Sequence, residues 1–559
     1  MIFNENVDFD VLVIGGGLAA IRAAVAACAA GAKTGMVLKG TLGASGSSAI
    51  AGGGLAAVMG GTDAPEDTLE RHFHDTLASG DFVNDPDLVR RLVIDAPQSM
   101  RELEAMGAEF VRKSDAEIEL FLAPAHTSKR SLRGAGGGTA RIMGPLTAYV
   151  KRQPITLLEN TTVLDLLQSS GRAAGAIAVC GEKLLLMRAK AIVLATGGAG
   201  CIYPLTSNME ESTGDGYAMA LRQNLALTGM EFVQFTPTAL AHPKPLQGIS
   251  TGGVLLGLPG TRLWNSEHER FMERYDPQRK EASTRAILSR AFQAEVVEGR
   301  SSPHGGVYLD LTRNDADVLV RLAAPFMKKL EAFGIDIRRD PIEIAPAVHY
   351  FMGGVEINAL AETALSGLYA AGEVTGGVQG SNRLSSNSLT DVNVFGAIAG
   401  REAARYARAQ HSLTGWPMLA KCATQIIRNS LILNNKSKGS QLTALHTELK
   451  HTMFASGGLV RDAHAMQQGI ANIAKLRARL NAIGGVGVAE LRQQSECRNM
   501  LDVGEAVIRS AQLRCESRGA HYRSDFPDTD DTQWRAATRV YSQNLHGGTL
   551  ATVKGRSFA

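Results

Sequence analysis

The segment from Gly367 to Leu389, GLYAAGEVTGGVQGSNRLSSNSL, joins an apolar strand, three glycines (Gly376, Gly377, Gly380) and one arginine, Arg383, to the start of a predicted helix. Glycine suits a backbone that takes positive φ or comes close to a ligand, so the turn reads as a ligand contact. The helix is expected to begin near Ser388 and to run through VFGAIAGREAARYA. Its free N–H groups and positive dipole end would meet whatever the turn holds, an arrangement suited to a cofactor that gains negative charge.

A second turn of this kind lies near the N-terminus. DVLVI, residues 10–14, ends in Gly15-Gly16-Gly17, leads into the Ala-rich LAAIRAAVAACAAG, and TGMVLK closes the βαβ unit. The glycines allow a tight turn and the approach of a pyrophosphate, while Ala20 takes the third small position, where helix packs on strand. Alone, this pattern also fits a glycine-rich turn in another α/β protein. Two further strands ending in glycine turns, AKAIVLATGG (189–198) and SGLYAAGE (366–373), favour one dinucleotide domain interrupted by an insertion. Lys39 stands near the end of the second strand, where nicotinamide-type folds often carry an acid for the ribose.

At 559 residues the chain is too long for a single core. Between about 236 and 349 mixed polar segments and a VYLDL strand predict an inserted α+β domain. From about 411, helical apolar spacing recurs in ATQIIRNSLIL, AHAMQQGIANIAKLRARL and GEAVIRSAQLRCESRG, followed by a Pro/Asp-rich tail expected to be irregular. The predicted fold is therefore α/β, with a dinucleotide domain in two parts (1–235 and 350–410), an insertion (236–349) and a helical C-terminal domain (411–559).

Lys and Arg total 58 against 55 Asp and Glu, mixed along the chain, with no polybasic run suited to nucleic acid or an anionic membrane. The six cysteines (Cys28, Cys180, Cys201, Cys422, Cys497, Cys515) show no CxxC and no metal-ligand spacing, so no metal site is expected and any iron–sulfur relay would belong to another chain. No unbroken apolar run reaches about 18 residues and the N-terminus lacks a signal-peptide pattern, so the expectation is a cytoplasmic protein without membrane insertion.

These blocks resemble the flavoprotein family of succinate dehydrogenase and fumarate reductase flavoprotein subunits, L-aspartate oxidases and adenylylsulfate reductase α subunits. The resemblance rests on DVLVIGGG, AGGGLAAV, ATGGAG, STGDGYAMA, MEFVQFTPT, RFMERYDP, HYFMGGV, the Gly367–Leu389 segment and ESRGAHYRSDFP, in that order along nearly the whole chain. It implies a discontinuous Rossmann-like FAD-binding domain, a mobile capping domain and hydride transfer between flavin N5 and a carbon next to a carboxylate. By resemblance, FAD would be bound by Gly15, Gly16, Gly17, Leu18, Ala19, Lys39, Ser47, Ser48, Gly53, Gly54, Ala195, Thr196, Gly197, Asp215, Glu373, Arg383, Ser388 and Leu389. His349 and Arg383 would hold a substrate carboxylate, with Thr236 on the substrate side, and Arg285 would move the proton. An arginine is a poor general acid by itself, so that role needs a relay and a dry site, for which Glu281 is a candidate neighbour. Arg518 and His521 would pin the helical domain. An iron–sulfur or ferredoxin-like partner is also implied.

Departures from the family pattern shape the expected chemistry. Ser47 stands where membrane-complex members carry the histidine that bonds FAD, which predicts non-covalent FAD. Thr236 replaces the histidine of QFHPT, and VLLGLPGTRLWN lacks the Thr-Glu pair and RGEGG loop of relatives. A four-carbon dicarboxylate would thus lose two anchors, at about 1–3 kcal/mol each, and plain fumarate or succinate is not the expected substrate. Ala123 replaces the acid expected of an aspartate oxidase. The leading expectation is a carboxylate-directed FAD oxidoreductase; the alternatives are an aspartate-oxidase-like enzyme and a non-catalytic flavin electron-transfer subunit.

Overall fold

The computed structural model describes residues 3–52, 54–251, 253–428, 430–431, 437–542 and 550–557. The chain opens with β1 (Glu5–Ile14), whose aliphatic end is buried on both faces, as befits a central strand. The Ala-rich α1 (Leu18–Ala29) follows and leads to β2 (Thr34–Val37). After a helical and loop excursion, β3 (Ile155–Leu158), β4 (Thr161–Ser169), β5 (Arg172–Cys180) and β6 (Lys183–Leu194) complete a sheet in the order β3-β2-β1-β6-β5-β4. Strands β3, β2, β1 and β6 run parallel, and β6, β5 and β4 form an antiparallel meander. The short α2 (Asp215–Arg222) then leads out of this layer.

The insertion builds its own sheet. It is formed by β7 (Val233–Leu240), β8 (Arg262–Trp264), β9 (Val307–Asp310) and β10 (Ile342–Phe351), in the antiparallel order β7-β10-β9-β8. Between β8 and β9, α3 (Arg285–Val297) starts at Thr284, whose hydroxyl accepts from Ile287 N–H as an N-cap. Leu288, Ala291 and Phe292 turn one face of α3 into a hydrophobic cluster with Leu240, Leu309 and Ile344, separate from the main core.

The chain then returns to the first sheet. Strand β11 (Leu368–Ala370) pairs in parallel with the last residues of β6, and α4 (Asn387–Ala409) lies along α1. The helices approach closely because Gly396 and Gly400 face Ala19 and Ala23: a Cβ on either glycine would overlap the α1 backbone. Four long helices follow, α5 (Trp416–Ile427), α6 (Gly439–Gly457), α7 (Ala463–Ile483) and α8 (Leu491–Leu513).

The C-terminal tail is not irregular throughout, which corrects the sequence expectation. β12 (Ala536–Ser542) and β13 (Leu550–Ser557) form a hairpin, and β12 also pairs with the short strand Leu227–Thr228. The ATRVYS stretch mixes buried and half-buried positions, and one of its two pairing partners lies some 300 residues away in sequence, beyond any local pattern. Among the described residues, no helix is long and apolar enough to cross a membrane, and no group of three or more His, Cys, Asp or Glu could hold a metal ion.

Candidate active site

The turn between β1 and α1 opens onto a cleft. Gly15 sits at φ +139° with the Ala195 carbonyl pressed where a side chain would be, so only glycine fits. Gly17, the N-cap of α1, supplies no side-chain cap; Leu18 N–H instead donates to Ser48 Oγ at 3.1 Å. The helix therefore presents its positive end to the cleft without an acidic residue in its first turn. Thr196 Oγ1, buried and lining the cleft, has no hydrogen-bond partner among the described residues. These features fit a dinucleotide diphosphate.

Most of the anticipated cofactor residues meet here: Gly15, Gly16, Gly17, Leu18, Ala19, Lys39, Ser47, Ser48, Ala195, Thr196, Gly197, Asp215 and Glu373 all line the cleft. Gly53 lies outside the described residues. Gly54 is packed against Ser131 and Leu132 beside the start of α4 rather than in the cleft lining. Ser388 and Leu389 form the first turn of α4, which begins at Asn387 behind Ser386, a residue held at φ +66°.

Lys39 is the main charge in the cleft wall. Its Nζ meets Asp215 and Glu496 at 2.8 Å each and donates to Thr213 Oγ1 at 2.6 Å. Burial opposes its charge, but the two carboxylates outweigh that and raise its pKa. Burial likewise works against ionised Asp215, and Lys39 overrides it to lower the Asp215 pKa; Asn499 Nδ2 also donates to Asp215 at 2.9 Å. Glu496 and Asn499 come from α8, a contribution of the helical region that sequence spacing did not signal.

Deeper in, two buried carboxyls titrate unusually. Burial pushes Glu373 up to about 7. One of its oxygens accepts from Phe351 N–H at 3.0 Å, and its carbonyl accepts from Tyr217 Oη at 2.6 Å. Asp391, in α4, is also pushed up to about 7 by burial, against a hydrogen bond from Gln379 at 2.9 Å.

A second cavity lies between the body, the insertion and the C-terminal region. Arg383 lines it. The Arg383 guanidinium donates to Gln234 Oε1 at 3.0 Å and to Ser388 Oγ at 3.4 Å, and rests 5.0 Å from the Tyr350 ring centre. Arg383 thus links this cavity to the first turn of α4. The described lining includes a second arginine, Arg290, and no acidic residue.

His349 and Thr236 are absent from the described lining of this cavity. His349, half-buried on β10, bonds Ser207 Oγ through Nδ1 at 2.8 Å. Thr236 is buried on β7 opposite Ala347. Arg285 is the first residue of α3, and its side chain lies outside the described residues. Glu281 is engaged by Arg270 at 2.6 and 2.8 Å and by Leu263 N–H, a local ion pair rather than a free relay. Arg518 pairs with Glu516 and Asp531, and His521 Nδ1 meets Arg461 at 2.8 Å, so both residues tie the C-terminal region together.

Sequence reasoning passed over Gln234, Ser289, Arg290 and Tyr522 as cavity residues. It also passed over a buried cluster behind α4, in which Arg130 pairs with Asp67 and Asp75 and contacts His126 Nδ1 at 3.1 Å, while His126 Nε2 bonds the Ser385 carbonyl at 2.7 Å. The only signal was the charge density of HTSKR.

Comparison with known proteins agrees with this layout. Residues 10–389 match the FAD binding domain family and residues 446–554 the fumarate reductase flavoprotein C-terminal family. The chain is 36% identical to a fumarate reductase (CoM/CoB) subunit of Methanothermobacter marburgensis, covering 94% of this chain and 96% of that protein. It is also 36% identical to L-aspartate oxidase of Caulobacter vibrioides, covering 93% and 94%. In structure it matches Mycobacterium smegmatis Sdh1 in complex with UQ1 with a TM-score of 0.89 and 32% identity, covering 99% of this chain and 94% of that one. The chain belongs to the succinate dehydrogenase and fumarate reductase flavoprotein family, which includes L-aspartate oxidase, and is an FAD-dependent oxidoreductase.

Proposed function

We propose that this enzyme holds FAD without a covalent bond and oxidises or reduces a bond adjacent to a carboxylate in the second cavity. When bound, FAD supplies hydride transfer at its N5 atom. Arg383 carries the reading: buried, braced by Gln234 and Tyr350, it lines the substrate cavity while touching Ser388 at the start of α4. A guanidinium so placed grips a carboxylate and fixes its α,β-carbons. Ser388 and Leu389 then offer the N–H groups of α4 to the flavin.

Closure of the insertion would bring His349, carried on β10 outside the described lining, toward the carboxylate, and would let Arg285, at the head of α3, move the proton as water is excluded. The substrate's second end is held differently from that of fumarate or succinate in the family, since Thr236 and the shortened VLLGLPGTRLWN loop lack the family anchors. The uncharged wall of Pro124 and Ala125 offers no carboxylate to an amino group, which disfavours the aspartate-oxidase reading. Electrons pass to or from a separate iron–sulfur or ferredoxin-like protein.

The test is anaerobic exchange of electrons between bound flavin and a panel of saturated and α,β-unsaturated acids. Arg383→Gln is expected to keep its flavin and lose at least about 100-fold in exchange rate. Unchanged exchange in that variant, or failure of every acid with the wild type, refutes the proposal.

A further inference from the structure

The second cavity has two cationic sides, and only Arg383 has so far been given a task. The opposite side is built by α3 of the insertion, which contributes Ser289 and Arg290. Ser289 is 1% exposed, and its hydroxyl has no hydrogen-bond partner among the described residues. Arg290 is half-buried, with its guanidinium 4.6 Å from the ring centre of Tyr522, another lining residue. Burial lowers its pKa from the ordinary guanidinium value, opposed only by Tyr522. No carboxylate of the described lining compensates this charge.

A guanidinium held on an aromatic face, next to an unsatisfied buried hydroxyl and without an acid in the wall, is prepared for an anion from outside the protein. The two arginines also reach the cavity from different parts of the fold, Arg290 from the insertion and Arg383 from the body. A ligand with an anion at each end would join the two.

We infer that Arg290, stacked on Tyr522 and assisted by the Ser289 hydroxyl, is the anchor for a second carboxylate on the substrate, replacing the family anchors missing at Thr236 and the shortened loop. This rests on the carboxylate reading of Arg383. The substrate is then a dianionic acid whose distal carboxylate is gripped by the capping helix, so that binding the correct acid also draws the insertion closed. Monoanionic analogues occupy Arg383 without that pull.

Equilibrium binding measured by calorimetry on the FAD-loaded protein separates these statements. The probes are saturated dicarboxylates of three to five carbons and their monoamides, added anaerobically with the flavin kept reduced so that no hydride can leave them. The wild type is expected to prefer the best dicarboxylate over its monoamide by about 10–100-fold, the range for a charge-assisted contact in a partly closed site. Arg290→Gln should reduce that preference to below about 3-fold while monoamide affinity stays put, with Arg290→Lys in between. Tyr522→Leu, which keeps the charge and removes its platform, should weaken only the dicarboxylate.

An unaltered preference in Arg290→Gln, with binding still lost in Arg383→Gln, overturns the Arg290 assignment and leaves the carboxylate reading standing. Failure of both acids to bind the wild type overturns both.

Discussion

Replacing Asp391 by Asn isolates one consequence of burying a carboxyl beneath the start of α4. Asp391 is 2% exposed, accepts one hydrogen bond from Gln379, and its other oxygen has no partner among the described residues. Burial raises its pKa to about 7, whereas in the unfolded chain it titrates near 3.9. Between these values the folded protein keeps a proton that the unfolded chain has released, so rising pH favours unfolding through this window and has no further effect above about 7. With about 1.36 kcal/mol per pKa unit, the penalty is roughly 1.5 kcal/mol at pH 5 and about 4 kcal/mol at pH 8. Asparagine has nearly the same shape and no such titration. The stability of Asp391→Asn relative to wild type should therefore improve by about 2.5 kcal/mol from pH 5 to pH 8. Glu373, itself raised in part by Asp391, adds to the trend in the same direction. At about 2.1 cal/mol/K of unfolding entropy per residue, a chain of 559 residues melting as one unit converts this to about 2 °C. Scanning calorimetry of both proteins in excess FAD at pH 5, 6, 7 and 8 reads the difference, and the pH trend removes any constant cost of the substitution. A difference that stays flat or shrinks as pH rises would mean that Asp391 is ionised when buried, and the argument fails. Functionally, a neutral Asp391 leaves the positive end of α4 undiminished for the cofactor.

Two other outcomes test the dinucleotide cleft. Lys39→Met leaves Asp215 and Glu496 facing each other without their cation, and breaking such a buried network should cost about 3–5 kcal/mol and weaken FAD retention; equal melting and equal FAD affinity in the two proteins would show that the pair is solvated. Because Ser47 has no imidazole to offer a flavin, acid precipitation of the holoprotein should leave all the flavin in the supernatant. Fluorescence retained by the denatured chain would contradict that reading.

What could be read from the sequence follows from how far apart the interacting groups lie along the chain. The strand–glycine turn–helix units were visible because each is local: apolar runs of four to six residues, a glycine where Ala195 crowds the backbone, and a helix whose Ala and Gly positions repeat at helical spacing. Arg383 was visible for the same reason, standing five residues ahead of the Ser388 it contacts. Long-range polar contacts leave no such periodic trace. Lys39 meets Glu496, and Asp215 meets Asn499, across more than 280 residues, and on α8 these side chains look like any solvated helix face. Strand β12 was likewise hidden in part, because the Asp-rich turn before it reads as loop while its distant partner, Leu227–Thr228, contributes only two residues. Arg290 is the most instructive case. In STRAILSRAF it follows Arg285 by five residues, about 140° further around an ideal helix, so the role given to the first arginine does not extend to the second. From sequence alone the second arginine reads as a solvated charge on the outer face of a helix. It becomes a site residue only because Tyr522, from the far end of the chain, is folded beneath it in a cavity whose described lining holds no acid. The chemistry of this pocket is therefore set jointly by the insertion and the C-terminal region, and substitutions in either should alter substrate choice without disturbing the flavin cleft.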